Sequence, residues 1–90
     1  MPVYKVEFVK SAQKEFDHLP RKVQDKIIEA LSLLSQNPYS ELLRFKKIKG
    51  AGSLYRIRIS DYRVVYEIRN FQLIIIVIKI GHRKDIYRGI

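Results

Sequence analysis

The spacing of apolar residues changes twice along this chain, and each change marks a new kind of element. Over residues 3–9, Tyr4, Val6 and Phe8 alternate with Lys5, Glu7 and Val9. A period of two on β-branched and aromatic residues predicts an opening strand. The period then lengthens: Ala12, Phe16 and Leu19 fall at i, i+4 and i+7, behind a Ser11 able to cap a short helix. Pro20 suits the first turn of a second helix, where its missing N–H is not needed. That helix carries Val23, Ile27, Ala30, Leu31 and Leu34 on one stripe and stops near Asn37 and Pro38. The two form a helical hairpin with one apolar side.

From residue 38 to 53 the pattern is irregular and basic, with Arg44, Lys46, Lys47 and Lys49 ahead of Gly50 and Gly52. This reads as a connecting segment. Three strands follow, over 54–59, 62–68 and 72–80, the last apolar on both faces as a central strand should be. The predicted fold is α+β: an N-terminal strand, an α-helical hairpin and a three-stranded antiparallel meander, with the helices packed on one face of the sheet. A two-residue turn at Ser60 and Asp61 sets the register of the first hairpin. Ile59 then faces Tyr62, Ile57 faces Val64 and Tyr55 faces Tyr66 on one side. On the other side Arg58 faces Arg63 and Arg56 faces Val65. One face is apolar and the other basic, although directly opposed like charges cost about 0.2–1 kcal/mol. Ser-Asp is not the favoured dipeptide for such a turn, and a bulge or longer loop would move these pairs while keeping each strand's own alternation.

Charge sharpens this picture. Up to Glu41 six basic residues balance six acidic ones, whereas the remainder carries twelve basic and three acidic residues, so the whole formal charge of +9 lies in the sheet-forming half. Such a field opposes compaction and suits a polyanionic partner, nucleic acid first. Ninety residues at 47% apolar and 30% charged composition make a single globular domain, 1–90. The absence of cysteine excludes disulfides and thiolate metal sites. The longest apolar run, residues 73–78, is far short of the roughly 20 a membrane helix needs. With no signal-peptide pattern at the start, the expectation is a soluble cytoplasmic protein with no membrane partner.

A lone basic strand face reads first as a solvated surface. Here the tail adds a second cluster, Gly81, His82, Arg83, Lys84, Asp85, Ile86, Tyr87 and Arg88. It emerges at the end of the sheet where Tyr62 and Arg63 begin, so guanidinium, imidazole and phenol groups are expected to converge there. Arginine forks match phosphate oxygens, and tyrosine or histidine rings stack on unpaired bases. His18, near Pro20, reads as structural.

The string LYRIRISDYRVVYEI, followed after a strand by IKIGHRKDIY, resembles the RelE/ParE superfamily of toxins from toxin–antitoxin pairs. The resemblance covers nearly the whole chain, including the KIKG segment. Its RelE-like branch comprises ribosome-dependent ribonucleases that cut messenger RNA in the ribosomal A site; its ParE-like branch poisons DNA gyrase and catalyses nothing. The RelE-like branch implies a metal-independent endoribonuclease, an mRNA interferase that inhibits translation, with no cofactor and no bound metal. The matching catalytic positions are Arg56, Arg58, Arg63, Arg83 and Tyr87. Arg44, Lys46, Lys47, Lys49, His82 and Lys84 are expected to contact RNA or the ribosome. Some nuclease members carry lysines where this chain has Arg56 and Arg58. Because arginine stays protonated it is a poor general base, and histidine is the residue type that exchanges a proton near neutrality. His82 is therefore a candidate for proton transfer. The implied partners are the ribosome with its mRNA and a cognate antitoxin, whose acidic or amphipathic segment wraps the domain in a hetero-oligomer. The alternative is the gyrase inhibitor, and a third reading is a degenerate member kept for complex formation.

Overall fold

One five-stranded sheet organises the molecule. The computed structural model describes residues 3–40, 45–48 and 52–84. The strands are β1 (Lys5–Phe8), β2 (Lys46–Lys47), β3 (Leu54–Ile59), β4 (Tyr62–Arg69) and β5 (Ile74–His82), in spatial order β1-β5-β4-β3-β2. β1 runs parallel to β5, and every other neighbour is antiparallel. Between β1 and β2 the chain forms α1 (Lys10–Asp17) and α2 (Arg21–Gln36). The result is the expected α+β arrangement with its helices on one sheet face.

The apolar stripes account for the core. Ala12 of α1 and Ile27, Leu31 and Leu34 of α2 pack on Ile57, Ile59, Val64, Tyr66, Ile68, Ile75, Val77 and Ile80. Each large aliphatic side chain buried this way stabilises the fold by about 1.5–3 kcal/mol. Tyr55 stacks on Tyr66 and meets Tyr39 and Phe45 edge-on, which extends the core towards β2. The hairpin register is the one the alternation predicts, from Ile59↔Tyr62 through Arg58↔Arg63 to Tyr55↔Tyr66.

Three features differ from the expectation. Ser11 does not cap α1. Val9 is the N-cap and, having no polar side-chain atom, makes no side-chain cap bond, while its N–H still donates to Val77 O as the last rung of the sheet. The helix therefore starts at Lys10 and takes Ser11 into its first turn. Second, Lys46 and Lys47 are not irregular: they pair with Arg56 and Tyr55 as a short edge strand. A two-residue lysine strand is a blunt edge that resists further pairing. Third, β5 carries a bulge. Val65 pairs with Lys79 and Tyr66 with Val77, so Ile78 is the extra residue. Past it the alternation flips: Ile75 and Val77 face the helices, and then so does Ile80.

Candidate nucleic-acid interface

The bulge composes the sheet face opposite the helices. Directly paired residues share a face, so Lys46, Arg56, Val65 and Lys79 form one row across β2, β3, β4 and β5. Arg58, Arg63 and Gly81 form the next row, with Gly81 contributing no side chain. Val65 sits at the centre of this basic face yet is only 1% exposed, an apolar floor beneath the charged groups. Lys47 is paired with Tyr55 and belongs to the other face, at the exposed edge.

Arg58 and Arg63 set like charges directly opposite each other across the hairpin. Ile59 and Tyr62 close the two-residue turn as the hydrogen-bonded pair, so the next pair is of the non-hydrogen-bonded kind, with Cα atoms about 4.5 Å apart. Among the described residues no carboxylate lies within ion-pair reach of Arg58, Arg63 or Arg83; the ion pairs there are Arg21–Asp25 and Arg69–Glu67. Arg63 turns its guanidinium back over the hairpin, donating to Tyr62 O at 3.0 Å and Ser60 O at 3.4 Å. Both bonds are to neutral carbonyls, so the positive charge has no counter-ion among the described residues. Guanidinium groups are the side-chain type whose planar donors match phosphate oxygens.

The tail joins this site through its backbone. Arg83 donates its N–H to Asp61 O at 2.7 Å, continuing the β4–β5 ladder onto the turn that also receives Arg63. His82 pairs with Tyr62, its ring edge-on to the tyrosine at 5.6 Å, and its Nδ1 accepts the Lys84 N–H at 3.2 Å. His82 thus lies on the Tyr62 side of the sheet, whereas the arginines lie on the other. Tyr87, Arg44 and Lys49 fall outside the described residues. Arg83 and Lys84 are exposed.

Sequence reasoning passed over Lys79, although a lone charge inside an aliphatic strand is a visible signal. It also passed over Glu15, which interrupts the apolar stripe of α1 between Ala12 and Phe16. Its carboxylate accepts the Ile80 N–H at 3.0 Å, beyond the end of β1, and so caps a donor that β1 is too short to reach. Among the described residues no group of three or more His, Asp or Glu side chains is placed to hold a metal ion, and no helix is long and apolar enough to cross a membrane.

Residues 4–87 match a family model described as the ParE toxin of the type II toxin–antitoxin system, parDE. The chain belongs to that toxin family. It is 37% identical over 87 residues to toxin RelE3 of Methanocaldococcus jannaschii, covering 92% of this chain and 94% of that one. Its fold is that of solved RelE toxins. RelE in the archaeal RelE–RelB complex from Pyrococcus horikoshii superposes with a TM-score of 0.80 at 29% identity, over 92% of this chain and 98% of that one. The isolated Escherichia coli RelE toxin gives 0.77 at 27% identity, over 88% and 83% of the two chains. This toxin-family chain therefore carries its basic face on a RelE fold.

Proposed function

We propose that the chain is a ribosome-dependent endoribonuclease, the toxin of a type II toxin–antitoxin pair, which cleaves mRNA in the ribosomal A site. The observation that carries this reading is the Arg58–Arg63 pair, opposed across one hairpin, without carboxylates among the described residues, beside a tail whose Arg83 is bonded to the same turn. In the proposed reaction a ribose 2′-hydroxyl loses its proton to water and attacks the adjacent phosphorus, the bond from phosphorus to the 5′-oxygen breaks, the 5′-oxygen takes up a proton from water, and a cyclic phosphate forms. Arg58 and Arg63 hold the non-bridging oxygens and stabilise the charge that grows on them, a task suited to permanently charged groups. Arg83 faces the departing 5′-oxygen. Arg56 and Lys46, in the neighbouring row, contact the next phosphate. Tyr87 enters through the resemblance alone, as the ring that orients the nucleotide. The ribosome presents the RNA, which makes free RNA a poor substrate.

The parDE description of the matching family model favours a second reading, a gyrase poison without catalysis. One experiment separates the two: addition of the protein to a translating extract with primer extension across the message, beside a gyrase supercoiling assay. New 5′ ends at A-site codons are expected. Intact messages with blocked supercoiling would establish the second reading instead. The partner in either case is an antitoxin with an acidic or amphipathic segment, as RelE–RelB complexes among the structural relatives support. It is expected to co-purify with the toxin.

A further inference from the structure

Arg83 is the described arginine of the proposed site that lies outside a strand, on an exposed tail, so something must aim it. The tail holds two anchors on either side of its side chain. The Arg83 N–H is fixed to Asp61 O at 2.7 Å, and the following amide, that of Lys84, is fixed to His82 Nδ1 at 3.2 Å. His82 is itself immobilised as the last residue of β5, paired with Tyr62 and packed edge-on against its ring. We propose that His82 is a positioning residue: its neutral imidazole, accepting through Nδ1, latches the Arg83–Lys84 turn and so aims Arg83 across the Ser60–Asp61 turn at the phosphate held by Arg63.

The chemistry of the ring supports this over proton transfer. A nitrogen that accepts an amide N–H carries no proton, so the ring proton sits on Nε2. The β5 bulge also turns His82 to the Tyr62 side of the sheet, away from the face where Arg58 and Arg63 meet. An imidazole placed there acts on the backbone of the tail rather than on the scissile group. Because Ser60 and Asp61 offer consecutive carbonyls to Arg63 and Arg83, the latch fixes the spacing between two guanidinium groups through one rigid turn.

The catalytic part of the inference rests on the ribonuclease reading, and the latch does not. The test therefore joins cleavage on programmed ribosomes with nitrogen NMR of the full chain. The wild type should show His82 with its proton on Nε2 and a slowly exchanging Lys84 amide. His82→Asn places Oδ1 where Nδ1 stood, and His82→Gln places its amide nearer to Nε2. The Asn variant should keep the Lys84 amide protected and single-turnover cleavage within about threefold, while the Gln variant frees that amide and loses about 100-fold at unchanged Tm. If Asn loses as much cleavage as Gln with Lys84 still protected, His82 transfers a proton and the proposal is wrong. A Gln variant of full activity, or a proton found on Nδ1, would overturn it too. If the wild type cleaves no mRNA, the ribonuclease reading falls, and the tautomer and Lys84 exchange still decide the latch.

Discussion

Arg63 and Val64 are neighbours that answer to opposite demands. Adjacent strand residues point to opposite faces, so Val64 is fully buried while Arg63 lies over the open face. Arg63→Ala should leave the melting curve almost unchanged, within about 0.5 kcal/mol, because it removes one of two opposed charges and no core contact. It should abolish most cleavage of an A-site codon on programmed ribosomes; full cleavage by this variant would make the basic face a mere docking surface. Val64→Ala should instead cost about 1–3 kcal/mol through lost burial and a cavity. Tyr66 poses a different residue-scale question. Its hydroxyl is buried and has no hydrogen-bond partner among the described residues. Burial, reinforced by Tyr55 and Tyr39, pushes its pKa far above the ordinary 10.0. The folded state thus favours the neutral phenol. That contribution is intact below the unfolded-state value and is lost as pH rises from there through the folded value. Tyr66→Phe removes both the orphaned hydroxyl and the titration. It should gain about 1 kcal/mol near neutrality, and its denaturant midpoint should fall less from about pH 9 to 11 than that of the wild type, the remaining loss coming from Tyr55, whose pKa burial also raises.

At the scale of elements, the β3–β4 turn holds a non-glycine residue in the left-handed region, as Leu73 does in the turn before β5. Ser60 has φ 56°, a left-handed conformation that side chains avoid, whereas Asp61 does not share it. Positive φ at the first central position alone is the pattern of a type II′ turn, which favours glycine there. Ser60→Gly should therefore stabilise the hairpin by about 0.5–1 kcal/mol in thermal melts. Cleavage should persist, since the carbonyls that receive Arg63 and Arg83 are backbone groups; a Gly variant that loses stability would show that the serine side chain supports the turn. The hairpin was readable in advance because alternation fixes which residues share a face, and a two-residue loop fixes their register. The rest of the site was hidden for a physical reason. From Ile75 and Val77 a strict period of two sends Lys79 towards the helices and His82 to the arginine face. The extra residue Ile78 reverses both placements. A run of isoleucines gives no sign of where a bulge falls, since every position is equally apolar. The Ser11 cap failed similarly, because the bond from Val9 to Val77 depends on strands far apart in sequence. Lysines 46 and 47 became a strand only because Arg56 and Tyr55 offered an edge.

For the whole molecule, the decisive quantity is where the charge sits. The helical half is neutral, and the net +9 belongs to the half that forms β2 to β5 and the tail. If that charge were only a diffuse field, removing any two exposed cations would weaken polyanion binding equally. If the Arg58–Arg63 row is a phosphate site, removing those two should matter far more than removing two from α2. Each phosphate neutralised in single-stranded nucleic acid contributes about 0.7 to the slope of log K against log salt concentration. The double variant Arg58→Ala/Arg63→Ala, which releases the one phosphate the pair holds, should thus flatten that slope by about 0.7. Lys22→Ala/Lys26→Ala, which removes the same formal charge from exposed positions of α2, should leave the slope in place. Both would be measured by titrating a labelled single-stranded RNA across a salt series. Equal flattening by the two variants would mean that the whole surface attracts RNA and that no phosphate is held by the hairpin. A difference confined to the arginine pair would place the contact on the face that β3, β4 and the β5 bulge assemble, at the end of the sheet where Arg83 is tied down.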